Sequence, residues 1–206
     1  MVRIILSLVL VFLLKINVAS ADVLGPDINV GLVVNQFSAE ISSEAEFKIL
    51  VQPNGSNLSF TPQKTYLSVK NGKFVVGGKS IDGSEIELLS TNPTKPLLVN
   101  RKSYRGRLIA RINDDKKTLN ICNILPLEEY LYGVVAKEII PLWPEEAIKA
   151  QAVASRSFAL SAIKKQKTDG YDIKANEFGQ VYGGIEAEHI ITNKMIDATR
   201  GIVLTY

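Results

Sequence analysis

The chain is poor in the residues that build most metal and nucleophile sites: it has one cysteine, Cys122, and one histidine, His189. A lone cysteine excludes an internal disulfide. One Cys with one His also falls short of a zinc cluster, so neither a metal nor a cofactor is expected. A Ser-His-Asp triad would have to use His189, and no glycine-flanked nucleophile elbow accompanies it. Dense charge of one sign is missing too. The chain carries 24 Lys and Arg against 21 Asp and Glu, without the concentrated basic face that a nucleic-acid partner needs. Cys122 itself lies in the alternating stretch "TLNICNIL", which makes it a small buried thiol in a strand rather than a reactive one.

Long apolar runs are also scarce. The one near the start, residues 4–14, is too short to span a bilayer with confidence. Arg3 precedes it and the small residues Ala19-Ser20-Ala21 follow, the layout of an export signal cleaved before Asp22. The protein is therefore expected to be secreted or held in the cell envelope. Cleavage would remove Arg3 and Lys15 and no acid, taking the 24 basic residues to 22 against 21 acidic, so the mature charge is nearly balanced.

What is present divides the chain. Residues 22–100 hold short alternating or apolar runs such as "INVGLVV", "EFKILV", "TYLSVK", "KFVVGG" and "KPLLVN". Turn formers such as "PNGSN", "KNGK" and "IDGSE" separate them, predicting a β-rich region. The strand pattern continues through "YRGRLIARI" and "KKTLNICNIL", with a hairpin turn at Asn113-Asp114-Asp115. The period then changes. "PLEEYLYGVVAKEI" places apolar residues at 127, 131, 134 and 135, one face of a helix. "PEEAIKAQAVASRSFALSAIKKQ" predicts a second, longer and small-sided helix, with Glu145 and Glu146 suited to its N-terminal dipole. A short helix over "NKMIDATRG", capped by Gly201, and a terminal strand "GIVLTY" complete the reading. The expected class is α+β, with a signal over 1–21, a β-rich region over 22–100, and a helix-pair domain with short strands over 101–206.

Glu138, in "VVAKEIIPLWP", is the residue that stands out. If the first helix runs that far, its carboxylate follows the apolar stripe of Leu131, Val134 and Val135, and burial would suit it to general acid work. The other reading places it past the helix end, solvated or paired with Lys137 or Arg156. Lys149 and Arg156 are seven positions apart on one helix face, able to hold an anionic or polyhydroxylated ligand, or else solvated, with a Glu145–Lys149 pair.

The block "LPLEEYLYGVVAKEIIPLWPEEAIKAQAVASRSFAL", with the later "QVYGG" and "ATRGIVLTY", resembles the stage II sporulation protein D family, the SpoIID/LytB domain, over roughly residues 101–206. The resemblance implies an exported lytic transglycosylase. Such enzymes cut the MurNAc–GlcNAc glycan strand of peptidoglycan, preferably freed of stem peptides, and leave an anhydro-sugar end. The family's catalytic glutamate precedes Trp-Pro and the Ala-rich helix, a position that matches Glu138. Lys149, Gln151 and Arg156 match the family's "KAQAVAAR" stretch, and Gln180 and Tyr182 fall on its "QVYGG" segment, which implies substrate-binding roles. Ile139 and Ile140 depart from the family's Met-Pro. Family members also continue past the point where this chain stops, so the resemblance implies a domain incomplete at its C-terminus. A single carboxylate suffices for this chemistry, because the substrate's own C6 hydroxyl is the nucleophile; Glu128 and Glu129 read as helix-start residues rather than partner acids. The same motifs occur in a second branch of the family, in which a non-catalytic wall-binding protein enhances an N-acetylmuramoyl-L-alanine amidase. The expected partners are thus peptidoglycan glycan strands and a cell-wall amidase, with no nucleic acid.

Overall fold

A computed structural model describes residues 24–204 apart from 53, 54, 62, 164 and 166–169. The export signal expected over 1–21 lies outside the described residues. Twelve strands come first: β1 (Asp27–Gln36), β2 (Ser38–Ser43), β3 (Phe47–Gln52), β4 (Asn57–Phe60), β5 (Gln63–Lys70), β6 (Lys73–Val76), β7 (Lys79–Ile81), β8 (Glu85–Ser90), β9 (Leu98–Val99), β10 (Lys102–Ser103), β11 (Arg107–Ile112) and β12 (Leu119–Pro126). The helices α1 (Leu127–Glu138) and α2 (Glu145–Ile163) follow, then β13 (Ile173–Lys174), a 3-10 turn over Ile185–Ala187, and α3 (Ile190–Ala198). The α+β class holds.

The strands form two sheets, ordered β13-β1-β12-β11-β8-β3-β4 and β10-β9-β2-β5-β6-β7. Pairing crosses position 100, since β1 pairs antiparallel with β12 and β8 with β11. The expected turns form for the expected reasons. Asn71 and Gly72, both at positive φ, join β5 to β6, the backbone that a two-residue hairpin requires. In the turn before β12, the Asp115 carboxylate accepts the N–H groups of Lys117 and Thr118.

Two apolar cores result. The first fills the space between the sheets and includes Ile41, Phe47, Leu67, Phe74, Ile86, Leu108 and Ile121, with Phe47 and Phe60 stacked at 5.0 Å. In the second, Ile28 and Val30 of β1 and Leu125 of β12 meet Tyr130, Leu131, Val134 and Val135 of α1, Ile148, Ala152 and Ala159 of α2, and Met195 and Ile196 of α3. The β1–β12 pair is thus covered on both faces. The alanines of α2 let it lie close to this sheet.

Two expectations on the elements need correction. The short helix begins earlier than expected, at Ile190, where the His189 side chain accepts the Ile191 N–H as a cap. Residues 202–204 form no strand. Their backbone is held by side chains of α2 instead: Ile202 O accepts from Arg156 Nη1, and Leu204 N donates to Ser157 Oγ.

Cys122 is buried and free, and desolvation pushes its thiol up to about 11, against a smaller opposing pull from Arg111. From the ordinary thiol value of about 8.5 to about 11, the folded state keeps a proton that the unfolded chain releases. Stability contributed by this group therefore falls as pH rises through that window. The thiol should stay unlabelled by maleimide in native protein at neutral pH and label fully in urea. The alkaline loss of the urea midpoint should be shallower in Cys122→Ala.

Candidate functional site

The site is built where α1 ends. Its start is fixed by the preceding segment, since Leu127 N donates to Pro26 O and Glu128 N to Leu24 O, satisfying helix-start N–H groups. Its end is set by Ile139, which turns extended (φ −137°, ψ 148°) two residues before Pro141. Trp143 N bonds back to Ile140 O, and Pro144 O accepts the N–H groups of Ala147 and Ile148 to open α2. Glu138 is thus the last residue of α1, next to a short rigid corner.

Glu138 is exposed, neither buried along the apolar stripe nor paired with Lys137 or Arg156. The stripe ends at Val135, a turn earlier, and the carboxylate leans onto α2. Its Oε2 accepts from Gln151 Nε2 at 2.9 Å and from Ser155 Oγ at 3.1 Å. Gln151 and Ser155 are four apart on α2 and so share a face, with 3.3 Å between Nε2 and Oγ. Ser155 was not legible as a site residue; its one signal is that spacing from Gln151.

Gln180 and Tyr182 support this arrangement from beneath. Gln180 is buried, donating from Nε2 to Ser155 O at 3.4 Å and accepting from Tyr130 Oη at 3.2 Å. Burial pushes the Tyr130 phenol well up, and the Glu138 charge adds to the effect. Tyr182, also buried, donates to Asn123 Oδ1 at 2.8 Å, and its ring lies on Gly133. A Cβ at Gly133 would stand 2.5 Å from that ring, so the closeness of "QVYGG" to α1 depends on the glycine. Tyr182 is a core residue here.

Lys149 and Arg156 do not share the role expected of them. Lys149 pairs with Glu146 at 2.7 Å, in place of the expected Glu145, and does not line the cleft beside Glu138. Arg156 is 1% exposed and cannot reach a glycan on the surface. Its Nε and Nη2 each bond Glu128 at 2.8 Å, while Nη1 reaches Ile202 O and Nη2 also Ile196 O. Glu128, in the first turn of α1 as expected, is 2% exposed and also accepts Gly201 N. The i to i+7 spacing put Lys149 and Arg156 on related faces, but the larger apolar face of α2 took the arginine inward.

Three neighbouring depressions share lining residues across the surface. Glu138, Ile140, Pro141 and Trp143 border one of about 300 Å³. Glu138 also borders the next, about 280 Å³, with Gln151, Ser155, Phe158 and Gln180. Phe158 and Gly179 lead on to a third, about 380 Å³, bordered by Tyr171, Asp172, Lys174 and Phe178. Exposed aromatics stand on both sides of Glu138: Trp143 on one, Phe158 and Phe178 on the other. A larger cavity of about 550 Å³ lies between Leu88, Pro93, Leu97, Tyr104, Arg105 and Ile185, away from every residue named above as a site candidate. Among the described residues, no three His, Cys, Asp or Glu side chains gather to hold a metal ion.

Residues 115–206, which contain this groove's acid and both helices, match the family model described as Stage II sporulation protein, SpoIID. This part of the chain is similar to the SpoIID family. An uncharacterised protein of Brachyspira hyodysenteriae (strain ATCC 49526 / WA1) is 35% identical over 109 residues, covering 52% of this chain and 29% of the relative. Stage II sporulation protein D of Bacillus amyloliquefaciens is 37% identical over 100 residues, 40% of this chain and 28% of the relative. An amidase enhancer of Bacillus subtilis (strain 168) is 38% identical over 76 residues, 37% and 10% respectively. The chain therefore spans less than a third of the length of each. No solved structure matches it. Within the SpoIID segment fall α1, α2, α3 and the "QVYGG" strip, the pieces that place Glu138.

Removing either member of the Glu128–Arg156 pair leaves an uncompensated charge in a dry core. Arg156→Ala and Glu128→Ala should each lower the unfolding free energy by about 3–5 kcal/mol, measured by urea denaturation followed by circular dichroism.

Proposed function

We propose that the protein is an exported peptidoglycan lytic transglycosylase that cuts peptide-free glycan strands with Glu138 as the single acid/base. The observation that carries this reading is the seat of Glu138: midway along an open groove, steered by two donors, with exposed aromatics to either side. Sugar rings present flat C–H faces, and exposed aromatic rings stack on them while neighbouring polar groups take the hydroxyls. An elongated groove open at the surface suits a polymer passing through rather than a small molecule enclosed.

The groove's acid inventory fits the chemistry. Ordinary glycosidases place two carboxyl groups about 5–10 Å apart around the bond they cut. In the central section Glu138 is the one acid among the lining residues, and Asp172 borders the far section. A lytic transglycosylase needs no second carboxylate. Protonated Glu138 gives its proton to the glycosidic oxygen as the C1–O bond breaks. The carboxylate then takes the proton of the MurNAc C6 hydroxyl as that oxygen bonds to C1, closing the 1,6-anhydro ring and restoring the acid. Gln151 and Ser155, holding Oε2, fix which oxygen faces the bond being cut. The N-terminal apolar run and the small residues after it support an activity outside the cytoplasm.

A second reading has the name of one relative in its favour: a wall-binding protein that enhances an N-acetylmuramoyl-L-alanine amidase. One experiment separates the two. Purified protein incubated with peptide-free glycan strands should release anhydro-ended fragments seen by mass spectrometry. Glu138→Gln keeps the shape but removes the transferable proton, and should slow release by about 10²-fold or more with glycan binding retained. Equal rates for the two proteins would remove Glu138 from the mechanism. No release by either, with stimulation of an amidase by both, would establish the enhancer role.

A further inference from the structure

We infer that the buried Glu128–Arg156 bridge positions Glu138 for its reaction, a role that rests on the reading of Glu138 as the acid. Glu128 lies in the first turn of α1 and Glu138 is its last residue. They lie ten positions apart on the helix, about 15 Å along the axis. On α2 their partners are neighbours: Arg156 grips Glu128, and Ser155 donates to Glu138. Both ends of α1 are therefore tied to adjoining positions of one helix. Any slide or roll of α1 that carries Glu138 off Gln151 and Ser155 must also distort the bridge.

The bridge has little slack. Two parallel N–H···O bonds of 2.8 Å fix the guanidinium and carboxylate planes against each other. Arg156 Nη1 is further committed to Ile202 O and Nη2 to Ile196 O, while Glu128 Oε1 also takes Gly201 N. Apolar side chains could hold the two helices together as firmly, but their contacts are non-directional and tolerate sliding. The paired charges supply direction. That matters at the groove because Glu138 is exposed, with no packed walls of its own, and a misplacement of 1 Å at a reacting group can cost about 10²-fold in rate.

Arg156→Lys keeps the charge but replaces the two-point fork by a single ammonium contact. The direct reporter is the side-chain amide of Gln151, which donates to Glu138, followed in protein labelled with ¹⁵N-glutamine. Glu138→Ala marks where that resonance falls once its acceptor is gone. In Arg156→Lys the Gln151 amide should move toward the Glu138→Ala position. Turnover of peptide-free glycan should fall about tenfold to 10²-fold with KM little changed, as expected when a group acting in the transition state is misaligned. An unmoved amide and unchanged turnover in folded Arg156→Lys would reduce the bridge to a fold-holding element and overturn the inference. If Arg156→Lys does not fold, the charge-free pair Glu128→Leu with Arg156→Met takes its place under the same two criteria. If the unaltered protein turns over no glycan, the transglycosylase reading fails, and the Gln151 amide alone decides whether the bridge positions Glu138.

Discussion

A carboxylate and a guanidinium buried together at 2% and 1% exposure are costly to desolvate, and either one alone there would be an uncompensated buried charge. Glu128 and Arg156 stay because they satisfy each other and because Arg156's remaining donors meet Ile196 O and Ile202 O. Through these bonds the start of α1, the middle of α2, the end of α3 and the segment after it converge on one point. The second core packs around that convergence. The groove is its outward consequence: with α1 and α2 fixed, the end of α1 can only deliver Glu138 against Gln151 and Ser155.

The two cores divide the labour. The sandwich between the sheets is apolar almost throughout and holds strands of widely separated sequence together. The helix layer is mixed, with Asn123, Tyr130, Gln180 and Tyr182 hydrogen-bonded inside it. Buried polar groups of this kind tolerate few arrangements, because each lost partner costs about 1–3 kcal/mol. A surface acid thus inherits its position from a polar network beneath it, in which Tyr130 and Gln180 reach Ser155 from below.

Much of this was legible in the residues. The change from period two to period 3.6 near Pro126 marks where sheet gives way to helix, and Pro144 and Glu145 mark the opening of α2. The turn formers at Asn71-Gly72 and Asn113 to Asp115 fall where the chain turns. Glu138 and Gln151, taken from the family motif, do come together. What escaped depended on partners distant in sequence. The strand β8 reads as a mixed acidic run until Glu87 meets Arg107 and Glu85 meets Arg111 across from it. β2, with Ala39 and Ile41 as its apolar residues, is too small-sided to signal a strand on its own. Arg156 looked like a surface ligand because charged residues usually are exposed, and only the fold discloses Glu128 opposite it. The aromatic flank formed by Phe158 and Phe178 had no signal, since one sits on α2 and the other in the loop before Gln180.

The groove holds the chain's one tryptophan, Trp143, half exposed where the Ile139–Pro141 corner meets Glu138. Its fluorescence therefore reports on this site and no other. Titrating Glu138→Gln, chosen because it should turn the ligand over about 10²-fold more slowly, with peptide-free glycan oligosaccharides should give a saturable blue shift of the emission as sugar displaces water from the indole. Binding detected by calorimetry with the Trp143 emission unmoved would place the glycan elsewhere, with the larger cavity beside Tyr104 and Pro93 the first place to look, and would contradict the assignment of the Glu138 groove as the glycan site.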